Sequence, residues 1–161
     1  DWLALQPDVD PQRLAALGHS VGAAAVLLVA SRRPGLAAAV SVSAFAHPEW
    51  VMRRWLAQRH VPYWPLGWLI NRYVERVIGA RFDHIAPLAT LGQALCPVLL
   101  LHGAQDDTVP LADAQQLIQH KGRASATLLA LDGTHEGFAD PAQAGRSVLD
   151  FLRQALRAAP D

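Results

Sequence analysis

The sequence predicts an α/β protein built on a mostly parallel sheet with flanking helices. Short apolar runs typical of strands, at 13–17, 38–44, 97–102 and 126–131, alternate with stretches of helical character. The runs lack a polar face, as expected for strands of a parallel sheet that is covered on both sides. With 161 residues, 52% of them hydrophobic, the chain is large enough to form one domain with a substantial core.

The predicted helices have recognisable ends. The stretch 21–33 ends where two arginines precede Pro34 and Gly35, two residues that break helices. Another helix is expected over 111–120. The last helix, 142–158, follows an aspartate and a proline that suit an N-cap and a first turn. Its apolar side chains recur at helical spacing, which predicts one buried face.

The insert 48–79 between the second and third strands is expected to be helical and is rich in aromatic residues. Between residues 50 and 73 it contains four of the five tryptophans and both tyrosines, with arginines interleaved. Such a segment could line a site that excludes water and holds an apolar group. Two other interpretations are that it packs onto the core or that it lies in a membrane interface. Its apolar run, 62–70, is too short to cross a bilayer.

Residues 18–22 read Gly-His-Ser-Val-Gly and lie between the first strand and the first helix. Gly-x-Ser-x-Gly in a strand–turn–helix context is the pattern of a nucleophile elbow. The glycines allow a sharp turn because they lack a Cβ atom. The turn presents Ser20 at the start of a helix, where developing negative charge is favoured. A glycine-rich turn with an incidental serine is the alternative.

A nucleophilic serine needs a base, usually a histidine that a carboxylate orients. Two later segments provide candidates in the order Ser, Asp, His. Asp106 and Asp107 follow the strand 97–102, and His135 follows the strand 126–131. Both segments lie beyond the carboxyl end of a predicted buried strand, where parallel sheets bind ligands. His19 is expected in the wall of this site, and His102 is expected to have a structural role.

With these motifs the sequence resembles an α/β-hydrolase-fold serine hydrolase of the bacterial esterase and peptidase-like branch. The motifs that carry the resemblance lie at 9–13 and 18–22, at 102–110, and at 133–135. The resemblance implies that Ser20 is the nucleophile, Asp106 the orienting acid and His135 the base. The N–H of Val21 would bind the oxyanion. Asp107 would then be a solvated turn residue.

The resemblance also implies a domain organisation. Residues 1–161 would form an N-terminally truncated α/β-hydrolase domain that supplies strands five to eight of the fold, with the strand 13–17 left as an open edge. The second oxyanion donor would come from a loop upstream of this chain. A helical cap insert, 46–85, would cover the serine, and Trp64 and Trp68 would line the pocket for an apolar acyl substrate.

Composition and motifs limit the classes of binding partner, the cofactors and the cellular location that the sequence predicts. The formal net charge is zero and the basic residues are scattered, so no nucleic-acid partner is expected. The histidines lack metal-ligand spacing and no phosphate-binding glycine loop is present, so neither a metal nor another cofactor is expected. Because Cys96 is the single cysteine and the start lacks a secretory leader, the sequence favours a cytoplasmic location without membrane contact.

The sequence therefore predicts a serine hydrolase that cleaves a carboxylic ester through an acyl-enzyme. A peptidase or thioesterase with the same triad is one alternative. A non-catalytic α/β-hydrolase-like interaction module is the other.

Overall fold

The computed structural model describes residues 2–157, and the strands in this range form one parallel sheet in the order β1-β2-β3-β4. This confirms the predicted α/β class. The strands are β1 (Ala15–His19), β2 (Ala38–Val42), β3 (Val98–Gly103) and β4 (Ala126–Leu131). Because every strand points the same way, the carboxyl ends of all four lie at one edge of the sheet.

The helices flank this sheet and fill its connections. They are α1 (Val21–Arg32), α2 (Pro48–Ala57), α3 (Trp68–Ile78), α4 (Phe82–Ile85), α5 (Pro87–Thr90), α6 (Leu111–Gln119) and α7 (Pro141–Arg157). The helices predicted over 21–33 and 111–120 each end one residue earlier than expected. Residue 158 of the predicted last helix lies outside the described residues.

The first two strands differ from their predicted bounds. The run predicted as strand 13–17 begins only at Ala15, because Pro11–Arg13 form a 3-10 turn. Asp10 caps this turn by accepting a hydrogen bond from the N–H of Gln12 (3.0 Å). At its other end, β1 extends beyond the predicted bound to His19 and leads directly into Ser20. β2 ends at Val42 instead of residue 44, since Ser43 turns the chain with a φ of 52°.

Burial follows the position of each strand in the sheet. Every residue of β3 is buried, and so are the first four residues of β2. β1 alternates between exposed and half-buried residues, since successive side chains of a strand point to opposite faces of the sheet, and among residues 2–157 it has a neighbouring strand on one side only. The prediction of strands that are apolar and buried on both faces is thus confirmed for the two central strands, and β1 is an edge strand of the sheet that residues 2–157 form.

The connection between β2 and β3 is a series of short helices held together by buried polar contacts. Gly79, with a φ of 70°, ends α3 in the left-handed conformation that glycine adopts readily. The buried carboxylate of Glu75 accepts a hydrogen bond from the N–H of Phe82 (2.8 Å) and pairs with Arg72 (3.0 Å). These contacts fix the end of α3 against the start of α4.

An ion pair between a partly buried arginine and a buried aspartate anchors α2 to α6. The guanidinium of Arg54 donates to both oxygens of Asp113, at 3.0 and 2.9 Å. Asp113 is only 4% exposed and also accepts a hydrogen bond from the N–H of Ala46 (3.0 Å). The planar guanidinium matches a carboxylate in this two-bond geometry. The contact therefore links the start of the helical connection to the helix that follows β3.

We expect Arg54→Ala to lower the free energy of unfolding of the full-length protein by about 3 kcal/mol, because it leaves the buried charge of Asp113 without its partner. The neighbouring Arg53 provides the control. Its pair with Glu49 is largely exposed, so Arg53→Ala should cost at most about 1 kcal/mol. Urea unfolding of both variants measures the difference, and equal losses would contradict the anchoring role of Arg54.

Candidate active site

Ser20 occupies a sharp turn between β1 and α1. Its backbone has a φ of 54° and a ψ of −114°, a combination that residues with a side chain rarely adopt. Its N–H donates to the carbonyl of Val42 on the neighbouring strand (2.9 Å), which holds the turn in place. A Cβ atom on Gly18 would overlap the carbonyl of Gly22, so this turn requires glycine at position 18.

The loops that follow β3 and β4 pack against each other at the same edge of the sheet. The side chain of Gln105 accepts a hydrogen bond from the N–H of Gly133 (2.7 Å), and the N–H of Gln105 donates to the carbonyl of Gly133 (2.9 Å). A Cβ atom on Gly103 would approach that carbonyl oxygen to 2.6 Å. The close approach of the two loops brings Asp106 beside His135.

Ser20, His135 and Asp106 form a continuous chain of hydrogen bonds. Nδ1 of His135 lies 2.8 Å from Oδ2 of Asp106, and Nε2 of His135 lies 3.1 Å from Oγ of Ser20. An ionised carboxylate can only accept, so Nδ1 carries the proton and donates it to Asp106. Nε2 is then the acceptor for the Ser20 hydroxyl. The geometry thus presents a serine to a correctly oriented base.

Asp106 is held as an anion. Burial raises the pKa of its carboxyl group, but hydrogen bonds from the Val109 N–H and from His135, with electrostatic attraction to the His135 and His102 rings, outweigh that effect. The pKa of Asp106 therefore lies below its ordinary value. Its Oδ1 accepts from the N–H groups of Val109 (2.7 Å) and Thr108 (3.0 Å), so both oxygens have partners.

The structure distinguishes the two adjacent aspartates. Asp107 is exposed, and its carboxylate accepts a hydrogen bond from the hydroxyl of Thr108 (3.3 Å). Within the described residues, the imidazole of His135 bonds to Asp106 instead. Asp106 is therefore the aspartate placed to orient His135, and its role as the acid stays a prediction.

Two further histidines contact the residues of this hydrogen-bonded chain, and the sequence signals for them are weak. Nε2 of His19 lies 2.8 Å from the carbonyl oxygen of His135, and the two rings are 4.8 Å apart between centroids. His102 is fully buried, donates to the carbonyl of Val109 (2.8 Å) and lies 3.7 Å from Asp106. The sequence places His19 in the wall of the site, and the structure shows in addition that it contacts His135 directly. The adjacency of His19 to Ser20 is the one sequence signal for it.

The remaining predicted site residues lie in different surroundings. Val21 begins α1, where the first N–H groups of a helix have no intrahelical acceptor, so its amide is available beside Ser20. Trp64 and Trp68 are 74% and 46% exposed. Neither is among the described residues that line an apolar cavity beside Val21. Their role in substrate binding stays a prediction.

Residues 2–157 contain neither a metal-binding cluster nor a membrane-spanning helix. No group of three or more His, Cys, Asp or Glu side chains in this range could hold a metal ion. No helix in the same part of the chain has the length and apolar character needed to cross a bilayer.

Comparisons with known proteins identify the relatives of this chain. The model of the prolyl oligopeptidase family matches residues 1–159. The uncharacterized protein Rv2307c of Mycobacterium tuberculosis is 31% identical over 157 residues, which are 97% of this chain and 49% of the relative. Cutinase 2 of Thermobifida cellulosilytica is 32% identical over 87 residues, which are 54% of this chain and 27% of the cutinase.

A solved structure shares the fold. The acylaminoacyl peptidase of Pyrococcus horikoshii superposes with a TM-score of 0.72 at 16% identity, over 99% of this chain and 27% of the peptidase. At this identity the likeness concerns the fold alone. The chain spans about half the length of the relative from M. tuberculosis (49%).

The lowered pKa of Asp106 makes a prediction about acid stability. The native carboxyl group binds a proton less tightly than the unfolded one, so its stabilising contribution is present above the unfolded pKa of about 4. That contribution is lost as the pH falls through the native pKa. We therefore expect the full-length protein to lose more free energy of unfolding between about pH 6 and pH 3 than its Asp106→Asn variant.

Urea unfolding across this pH range measures the two losses. Asp107→Asn is the control and should show the same pH dependence as the unchanged protein. If Asp106→Asn showed that dependence too, Asp106 would not be the group responsible.

Proposed function

The chain belongs to the prolyl oligopeptidase family, whose model matches residues 1–159, and we propose that the protein is a serine hydrolase that cleaves a carboxylic ester. The observation that carries the proposal is the hydrogen-bonded chain from Ser20 through His135 to Asp106. A serine hydroxyl with a base at 3.1 Å and a buried carboxylate behind that base suits acyl transfer.

In the first half of the reaction, Nε2 of His135 takes the proton of Ser20 as Oγ attacks the ester carbonyl carbon. The carbonyl oxygen becomes an oxyanion, to which the N–H of Val21 donates. Asp106 stabilises the imidazolium that has formed. When the tetrahedral intermediate collapses, the bond to the alcohol breaks, and His135 gives its proton to the departing alkoxide.

In the second half, His135 activates a water molecule. The water attacks the acyl carbon, its proton goes to Nε2, and a second oxyanion forms beside Val21. The bond to Oγ then breaks and the proton returns to Ser20, which releases the carboxylic acid and restores the resting enzyme.

An ester is preferred over a peptide because of the surface beside the elbow. In the described part of the chain, the cavity next to Val21 is lined by apolar side chains, which offer no hydrogen-bond partner to a peptide backbone. The sequence similarity to a cutinase also favours an ester. Peptide hydrolysis is the second candidate, because the family takes its name from a peptidase.

If the protein is a non-catalytic interaction module, Ser20 should not be a reactive nucleophile. A fluorophosphonate reacts covalently with an activated serine, so the full-length protein should be labelled at Ser20, and Ser20→Ala should not be labelled. A folded protein that the reagent leaves unmodified would favour an interaction module. Comparing a p-nitrophenyl ester with an aminoacyl p-nitroanilide separates the esterase from the peptidase.

We expect Ser20→Ala and His135→Ala each to lower kcat for ester hydrolysis by about 10³-fold or more in the full-length protein. The double variant should be hardly worse than either single one, because the two residues act as a unit. Steady-state kinetics of the three variants measures this. Losses that multiply in the double variant would contradict a shared role.

The proposed role of Asp106 as the orienting acid leads to a separate prediction. Asp106→Asn should lower kcat by on the order of 10⁴-fold, because an amide no longer fixes the proton of His135 on Nδ1. Asp107→Asn is the matched control, one residue away and exposed, and should change kcat less than about twofold. The reverse ranking would assign the acid to Asp107.

A further inference from the structure

The position of His135 depends on contacts from outside its own loop. The loop spans residues 132–140, between β4 and α7, and the N–H of Thr134 donates to the carbonyl of Gly137 (2.8 Å), which closes a turn around the histidine. In the described part of the chain, no backbone–backbone hydrogen bond involves His135 itself. Its backbone carbonyl is therefore open to a donor from a side chain.

His19, the last residue of β1, provides that donor. Nε2 of His19 lies 2.8 Å from the carbonyl oxygen of His135, although the two residues are 116 positions apart in the chain. A carbonyl oxygen can only accept, so Nε2 of His19 carries a proton and is the donor. The two rings are also in contact, with centroids 4.8 Å apart and planes inclined by 47°. His19 thus touches both the backbone and the ring of the base.

Two consecutive residues of the elbow therefore contact His135 at two points. His19 bonds to its backbone carbonyl, and Ser20 bonds to Nε2 of its ring (3.1 Å). Both residues lie at the end of β1, which pairs with β2 up to Val42, and Ser20 is held there by its own bond to Val42. The serine and the backbone of the base are thus tied to the same end of one strand.

The contacts on the other side of the loop have a different effect. Gln105 bonds to the start of the loop, and Asp106 bonds to Nδ1 of His135, so these two residues fix the base relative to the acid turn. Neither contact determines how far Nε2 lies from the serine hydroxyl. Among residues 2–157, the bond from His19 is the one hydrogen bond between the backbone of this loop and the elbow.

We propose that His19 is a positioning residue, whose bond to the carbonyl of His135 holds Nε2 at the distance from Oγ of Ser20 that proton transfer requires. The proposal rests on the proposed function, since this proton transfer is the first step of that reaction. A catalytic group displaced by about 1 Å can lower the rate by on the order of 10²-fold. His19 acts through His135 and exchanges no proton with the substrate.

Substitutions of His19 separate its donor from its ring. His19→Phe keeps a ring and loses the donor, whereas His19→Gln keeps an N–H donor at similar reach and loses the ring. His19→Asn also has an amide, but its side chain is one methylene shorter, so it should not reach the carbonyl. His120 provides the control, because it too bonds to a backbone carbonyl, that of Gln116 (2.8 Å), but is exposed and directly follows α6.

Steady-state kinetics of the full-length protein with a p-nitrophenyl ester gives the first test. His19→Phe and His19→Asn should each lower kcat by about 10²-fold and leave KM within about twofold, because they displace the base without changing how the ester binds. His19→Gln should recover most of that loss, and His120→Phe should change kcat less than about twofold. Equal losses in the Phe, Asn and Gln variants, or a loss confined to KM, would overturn the proposal.

Nitrogen NMR spectroscopy of the isotope-labelled full-length protein separates this proposal from the proposed function, because it needs no hydrolysis. The resonance of Nε2 in His135 moves when this nitrogen accepts a hydrogen bond, and Ser20→Ala gives its position without that bond. In His19→Phe and His19→Asn the resonance should move toward the Ser20→Ala position, and in His19→Gln it should stay where the unchanged protein has it. This pattern in a protein that hydrolyses no ester would sink the proposed function alone. A resonance that every His19 variant leaves in place, or that already matches Ser20→Ala in the unchanged protein, overturns the positioning role.

Discussion

The buried carboxylate of Asp106 is the group on which the rest of the site depends. A charge removed from water is stable only if both of its oxygens find donors. Here one oxygen accepts from two N–H groups of its own turn, and the other accepts from the imidazole of His135. The first set of bonds shapes the turn after β3. The last bond fixes the proton of His135 on Nδ1, so that Nε2 can face Ser20. The carboxylate of Asp106 therefore shapes the turn after β3, sets the tautomer of His135 and leaves its Nε2 facing Ser20.

Ser20 is held in an unfavourable backbone conformation by its surroundings. A serine at a φ of 54° and a ψ of −114° costs about 1–3 kcal/mol, and it persists only if neighbouring contacts leave no alternative. The bond from its N–H to Val42 provides one such contact, and the first turn of α1 provides another, since the N–H groups of Ala23 and Ala24 donate to its carbonyl. This strained backbone conformation places Oγ at the tip of the turn, within hydrogen-bond distance of Nε2 of His135.

The sequence predicted the features that depend on local pattern. The elbow, the order of the triad residues and the strands before them could be recognised because each is encoded in a few neighbouring residues. β1 begins later than the sequence predicts because Pro11–Arg13 form a turn that competes with the strand. The apolar cavity beside Val21 could not be predicted, since it depends on which face α3 turns toward α1. An aromatic composition identifies a segment that can bind apolar groups, but it does not orient Trp64 and Trp68 in space.

The helix α2 connects the apolar cavity beside Val21 to the turn that carries Asp106. Val51 lines the cavity, and Arg54, three residues later on the same helix, holds the buried Asp113. Asp113 lies in the first turn of α6, which begins immediately after the turn that Asp106 shapes. A displacement of α2 would therefore alter the cavity wall and the support of the acid turn together. Because it would leave the buried charge of Asp113 without its ionic partner, that displacement is opposed. The contact that stabilises the helical connection thus also holds the cavity wall in place beside the acid turn.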